Sequence, residues 1–259
     1  WPGGFIKKTA PTVVGPTDPT LGGGSASGIW TLDQAADYEK QGLWPKPIVL
    51  QEMYTWGRNA YGELGLGDTT DRSNPTQVGA AGWTLANIGT YNSNQIGAIK
   101  NDGTLWMWGA NNTGQLGQGN TTNYSSPVQV GALTTWAKIS TSDVPTTGTT
   151  LAIKTDGTLW AWGKNNVGQL GLGFISYTPE SSPRQVGALT DWASVSAGAS
   201  ATSFAIKTDG TLWNWGSTAL GKSGRGPGVS GVSSPVQVGT DTTWSVIICG
   251  HGGKVRRED

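Results

Sequence analysis

The 259-residue chain has a single cysteine, a single histidine, three phenylalanines and two methionines. One cysteine excludes an intramolecular disulfide and a cysteine-rich zinc site. Charge is scarce as well: Lys and Arg number 17 and Asp and Glu 17, so the formal net charge is zero. With no global field to hold phosphates, nucleic acid is not expected as a partner. No apolar run reaches the 18 residues of a membrane-spanning helix, so no membrane insertion is expected, and no signal-peptide pattern opens the chain. What is present in excess is glycine, at 41 residues, and tryptophan, at 14. That bias predicts a repeated unit rich in turns and indole rings.

The repeat is legible in two tryptophan series. Trp-Gly pairs fall at Trp56, Trp108, Trp162 and Trp215, with spacings of 52, 54 and 53 residues. A second series, Trp83, Trp136, Trp192 and Trp244, follows the first by 27, 28, 30 and 29 residues. Two markers in phase establish four tandem units of about 53 residues.

Each unit reads as strands and turns. Ala-Ile-Lys, an Asp-Gly pair and Thr-Leu-Trp-x-Trp-Gly recur at residues 98–109, 152–163 and 205–216. Asp-Gly between β-formers closes a hairpin, because glycine readily takes the positive φ of a tight turn. The two indoles of Leu-Trp-x-Trp lie two residues apart and project from one strand face. Trp106 with Trp108, Trp160 with Trp162, and Trp213 with Trp215 are therefore expected to pack between sheets. A ligand-stacking platform is the rival reading, but recurrence in every unit favours packing. Asn-Asn-x-Gly-Gln-Leu-Gly then follows at 111–117 and 165–171, with a polar loop and Ser-Ser-Pro-x-Gln-Val-Gly after it. The loops at 118–124, 172–180 and 222–232 vary in length and content, and recognition is expected there.

These motifs, in fixed order over about residues 51–253, resemble the repeats of the regulator-of-chromosome-condensation family. The resemblance implies an all-β propeller of four-stranded blades around a central axis. Seven blades usually close the ring in that family, so four units imply an open or incomplete one. It also implies non-catalytic, protein-binding work, since the family includes inhibitors of bacterial enzymes and regulators of small GTPases. Cys249-Gly250-His251 matches the family's Cys-Gly-x-x-His region imperfectly, and residues 254–259 depart from the pattern as a tail.

Ahead of the repeats, residues 1–28 are rich in Pro, Gly, Thr and Ser and read as an extended arm. Residues 29–50 form a short attachment segment, in which Thr31 with Gln34 makes a capping box and Leu32 to Gln41 suits a helix. Trp30, Leu32, Tyr38 and Trp44 are its expected contacts. The 19 residues from Ser27 to Pro45 resemble a segment of tail and other virion proteins of aquatic bacteriophages. From this comes the leading functional expectation, a structural and adhesive protein of a virion or other extracellular assembly. A homo-oligomer or filament and an unidentified protein or glycan ligand go with it. A protein-binding propeller of the enzyme-inhibitor or GTPase-regulator type is the alternative.

Catalytic chemistry finds little support. Gly216 to Ser223 matches the phosphate-loop pattern G-x-x-x-x-G-K-S, but Arg225-Gly226-Pro227-Gly228 follows where a helix is needed. Cys249 and His251 stand near the C-terminus and are read as strand-end packing. Glu63, Asp68, Asp71, Glu180 and Asp191 are scattered, without a recurring acidic pair. No cofactor, metal or catalytic residue is therefore expected. Asn111, Asn120 and Asn123 each open an Asn-x-Ser/Thr sequon, which matters only on a eukaryotic secretory route.

Overall fold

The computed structural model describes residues 3–8, 51–88, 94–142, 148–198, 201–226, 230–248 and 254–257. The helix expected at 32–41, the attachment residues Trp30, Leu32, Tyr38 and Trp44, and Cys249 and His251 lie outside them.

Among the described residues, five antiparallel sheets follow one another along the chain. The first holds β1 (Gly3–Lys8), β2 (Gln51–Gly57) and β3 (Arg72–Gln77). The second runs β4 (Trp83–Ile88), β5 (Gln95–Lys100), β6 (Leu105–Gly109) and β7 (Tyr124–Gln129). The third is β8 (Trp136–Thr141), β9 (Thr149–Lys154), β10 (Leu159–Asn165) and β11 (Ser176–Gln185). The fourth is β12 (Trp192–Ala197), β13 (Thr202–Lys207), β14 (Leu212–Gly216) and β15 (Val232–Gln237). A fifth pairs β16 (Trp244–Ile248) with β17 (Lys254–Arg257). Helical structure among the described residues is confined to the 3-10 turn Ala219–Gly221, as the strand-turn periodicity predicts.

The Asp-Gly pairs do close hairpins. In the second sheet Gly103, at φ +76°, donates to Lys100 O, and Lys100 N donates to Thr104 O. The sequence unit and the sheet are out of phase, however. Trp56, Trp108, Trp162 and Trp215 lie within β2, β6, β10 and β14, whereas Trp83, Trp136, Trp192 and Trp244 open β4, β8, β12 and β16. A repeat read from one Trp-Gly pair to the next therefore begins in one sheet and finishes in its neighbour. Gly3–Lys8, read as arm, pairs along the whole of β2, and Lys254–Arg257, read as tail, pairs with β16.

Successive sheets stack face to face, and the first strand of each meets the first strand of the next, β4 on β8, β8 on β12 and β12 on β16. The core is divided among these interfaces. Met53 and Val78 of the first sheet pack on Trp83, Ile96, Ala98 and Trp108 of the second. Ile99, Leu105 and Met107 of the second meet Trp136, Ile139, Ala152 and Trp162 of the third. Leu151, Ile153 and Leu159 of the third meet Trp192, Ala205 and Trp215 of the fourth. Phe204, Ile206 and Leu212 then meet Ile247 of the fifth. Ala152 faces one neighbouring sheet while Leu151 and Ile153 face the other, so β9 is buried on both sides.

Candidate functional site

The two indoles of each Leu-Trp-x-Trp strand have different surroundings. Trp108, Trp162 and Trp215 are fully buried and reach into the preceding sheet. Their Nε1–H groups donate to Glu63 O at 3.1 Å, Gln115 O at 2.8 Å and Gln169 O at 2.9 Å. The acceptors belong to the Gly-Glu/Gln-Leu-Gly loops. Gly117, at φ +71°, leaves no room for a side chain there, since a Cβ would lie 2.9 Å from Trp162 Nε1. The loop motif is thus a socket for the next sheet's indole. Trp56, the counterpart in the first sheet, is half-buried.

Trp106, Trp160 and Trp213 are also half-buried, and each stacks with a lysine. Lys100 Nζ lies 4.2 Å from the Trp106 ring centre and 5.0 Å from that of Trp83. Lys154 stands 3.5 Å from Trp160 and 5.1 Å from Trp136, and Lys207 4.4 Å from Trp213 and 5.1 Å from Trp192. These cation–π stacks were not read from the sequence, although the lysine of Ala-Ile-Lys recurs. Burial lowers the pKa of the Lys154 ammonium against the pull of nearby Asp156. The hairpin fixes the ring from the other side. Asp156 Oδ1 accepts the Thr158 hydroxyl at 2.6 Å and its amide at 3.0 Å, and Thr158 Oγ1 accepts Trp160 Nε1–H at 2.9 Å. The same chain runs through Asp102, Thr104 and Trp106 and through Asp209, Thr211 and Trp213. The threonine hydroxyls, followed by the threonine amides, hold all three carboxyls below their usual range.

Beside these stacks lie two equivalent surface grooves. One, of about 390 Å³, is lined by Gly117 to Gly119, Leu133, Trp136, Trp160 and Pro183. The other, of about 210 Å³, has Gly171 to Gly173, Leu189, Trp192, Trp213 and Pro235 in the same places. In both, the Trp of the second series is buried and its Nε1–H has no acceptor. Trp83 differs, since its Nε1–H reaches Val78 O at 3.3 Å. The cause is turn length, because Val78 precedes Trp83 by five residues, whereas six separate Val130 from Trp136 and Val186 from Trp192.

The third unit also departs from the repeat on its surface. Its β11 spans 10 residues against six in β3, β7 and β15, with register shifts against β10. The loop before it exposes Phe174 and Ile175, and Tyr177, the second residue of β11, is 88% accessible. Arg184 lies over the Phe174 ring at 5.4 Å and is paired with Glu180 at 3.1 Å.

Of the carboxylates singled out earlier, Asp68 and Asp71 meet on Asn59, whose Nδ2 donates to Asp68 Oδ1 at 3.2 Å. Asp68 pairs with Arg72 at 2.6 Å, Asp71 accepts Asn59 N at 2.8 Å, and Asp191 pairs with Lys207 at 3.2 Å. Glu63 is buried at the position of Gln115 and Gln169, and burial raises its pKa although the Tyr61 amide donates to it at 2.7 Å. No group of three or more potential metal ligands exists among the described residues. The phosphate-loop match leaves β14 for the short 3-10 turn, so no helix N-terminus backs it. Asn111 is fully buried, its amide donating to Asn120 O at 3.0 Å, so its sequon reads as turn structure.

The model of the "Regulator of chromosome condensation (RCC1) repeat" matches residues 52–89, 102–143 and 156–205. The chain belongs to the RCC1 repeat family. Each RCC1 match runs out of one sheet into the next, as the tryptophan phase does. The ultraviolet-B receptor UVR8 of Arabidopsis thaliana is 30% identical over 188 residues, 72% of this chain and 42% of the receptor. The X-linked retinitis pigmentosa GTPase regulator of Canis lupus familiaris is 33% identical over 121 residues, 47% of this chain and 12% of the regulator. Among solved structures, Prp20p of Saccharomyces cerevisiae, described with its binding to Gsp1p and histones, superposes with a TM-score of 0.64 at 19% identity. That match covers 80% of this chain and 52% of Prp20p, so the chain spans about half or less of these relatives. These relatives are a receptor, a GTPase regulator and a protein-binding propeller, and they overturn the expectation of a virion structural and adhesive protein. The 19-residue likeness to phage proteins lies outside the described residues and has no support in these matches.

Proposed function

We propose that the chain is a non-catalytic protein-binding RCC1-type module. The observation that carries this reading is the combination of a repeated scaffold with an apolar protrusion, Phe174, Ile175 and Tyr177, found among the described residues in one unit. Exposed apolar clusters on otherwise ordinary surfaces mark contact sites, and aromatic residues dominate their energetics. Small GTPases and histones are the first partner classes to examine, given what similar propellers bind. The test is biolayer interferometry of the immobilised chain against a small GTPase, nucleotide-free and loaded, and against core histones. Saturable binding to one of them, lost in a Phe174→Ser/Tyr177→Ser variant with unchanged near-UV circular dichroism, is expected. Binding to neither class, or binding indifferent to those substitutions, would overturn the reading.

A further element of this proposal is self-association. Another propeller sheet, contributed by a second copy, covers the first sheet's outer face in a homo-oligomer or filament. Sedimentation velocity that shows only monomer at micromolar concentration would remove this element.

A further inference from the structure

The second, third and fourth sheets each hold a lysine over two indoles, but the three ammonium groups differ in counter-charge. Lys207 Nζ pairs with Asp191 Oδ2 at 3.2 Å. Asp191 directly precedes Trp192, and its carbonyl accepts the Thr208 amide at 2.8 Å. The same backbone bond recurs from Thr155 N to Thr135 O and from Asn101 N to Gly82 O, both at 2.8 Å, so Thr135 and Gly82 occupy the place of Asp191. Neither has a charge to offer. Lys154 and Lys100 accordingly make no ion pair among the described residues. Asp156 and Asp102 do not fill the place, since each carboxyl is turned to the hydroxyl and amide of its own hairpin threonine, Thr158 or Thr104. Where the carboxylate is missing the surface is open: Thr135 is exposed, and a Cβ on Gly82 would meet no atom within 4 Å. Lys100 is half-buried, and Lys154, although 8% exposed, keeps its Nζ in contact with solvent, unlike the indole nitrogen of Trp136.

We infer that Lys100 and Lys154 are seats for acidic side chains of a partner protein. The inference rests on the protein-binding reading and names the chemistry of the partner segment. The chain itself supplies the template. In the fourth sheet an aspartate carboxylate completes the stack of Lys207 on Trp192 and Trp213, and an aspartate or glutamate from outside completes the other two stacks in the same way. The receiving groups are ordered in advance, because Lys154 Nζ rests 3.5 Å from the Trp160 ring centre and Lys100 Nζ 4.2 Å from that of Trp106. Little of the lysine's rotamer freedom is therefore left to lose when the carboxylate arrives. Burial weighs against the Lys154 charge, and a second negative group beside it offsets that cost. The template is a carboxylate, and the zero net charge of the chain provides no field for the phosphates of nucleic acid. Lys207, already paired, takes no part.

The experiment titrates the intact chain with a short oligoglutamate peptide and follows the assigned lysine side-chain resonances. Those of Lys100 and Lys154 are expected to move and saturate, less so at high salt, while that of Lys207 stays in place. Two substitutions should reverse the pattern. Thr135→Asp supplies the carboxylate from within, so Lys154 should cease to respond and the peptide should weaken about fivefold, the most that one ion pair near a surface usually gives. Asp191→Thr opens the third seat, and Lys207 should begin to respond; Thr135 shows that threonine is accommodated at that place. Unmoved Lys100 and Lys154 resonances at millimolar peptide, a Lys207 resonance that moves equally in the parent chain, or one still silent after Asp191→Thr would overturn the inference. An oligonucleotide of equal charge that moves the same resonances at lower concentration would overturn the assignment to a protein segment. Should the peptide fail while a small GTPase or histone still binds through Phe174 and Tyr177, only the lysine seats fall. Failure of both removes the protein-binding reading itself.

Discussion

Trp162 joins two sheets through one indole, with its N–H on Gln115 O and its ring against Gly117. Trp162→Ala should cost about 3–5 kcal/mol, the usual range for a large buried aromatic, measured as a lower midpoint in urea denaturation. Glu63 invites the opposite kind of change. Its buried carboxyl has a raised pKa, so the folded state holds its proton to higher pH than the unfolded chain does. Stability from this group therefore falls as pH rises from the ordinary carboxylate value through the folded one, and is flat above. Glu63→Gln copies Gln115 and Gln169 and should stabilise the neutral-pH protein by about 1 kcal/mol. The advantage should vanish below about pH 4, and equal stabilities at all pH values in paired melts would contradict the assignment. At this scale the sequence shows which residues recur but not how deep they lie. Spacing of two places Trp160 and Trp162 on one face, yet only the lysine beside Trp160, brought there by pairing of β9 with β8 and β10, separates surface stack from core.

The hairpins were legible as elements because Asp-Gly turns and alternating apolar residues are local signals. The fourth strands were not. Ser-Ser-Pro-x-Gln-Val carries no clear local strand signal, since proline weakens a strand assignment, but β7, β11 and β15 are outer strands with partners on one side only, where proline is tolerated. The grooves were equally hidden, because they depend on a turn length compared between units. Removing Ala132 from the turn before β8 should give Trp136 the five-residue spacing that Trp83 has. The indole N–H should then reach the Val130 carbonyl, with slower hydrogen exchange and a gain of about 1 kcal/mol. Unchanged exchange would show that spacing is not the cause.

In the whole molecule, stability resides at sheet-to-sheet interfaces, each a separate cluster of tryptophans and aliphatic residues. Such arrays unfold as a chain of neighbour interactions. Trp162→Ala should therefore weaken the boundary between the second and third sheets most and broaden or split the urea transition there, read by hydrogen exchange. The Phe174→Ser/Tyr177→Ser variant, altered only at the surface, should keep a single midpoint within about 0.5 kcal/mol of the parent. The offset between sequence unit and sheet has a consequence for how such a chain changes length over generations. A crossover between two misaligned copies of the coding sequence adds or removes one period of about 53 codons. Wherever in the period the break falls, the junction still runs from an indole to a waiting Gly-Gln-Leu-Gly socket. Every product keeps its internal sheets whole, so blade number is free to drift while the rule for joining blades stays the same.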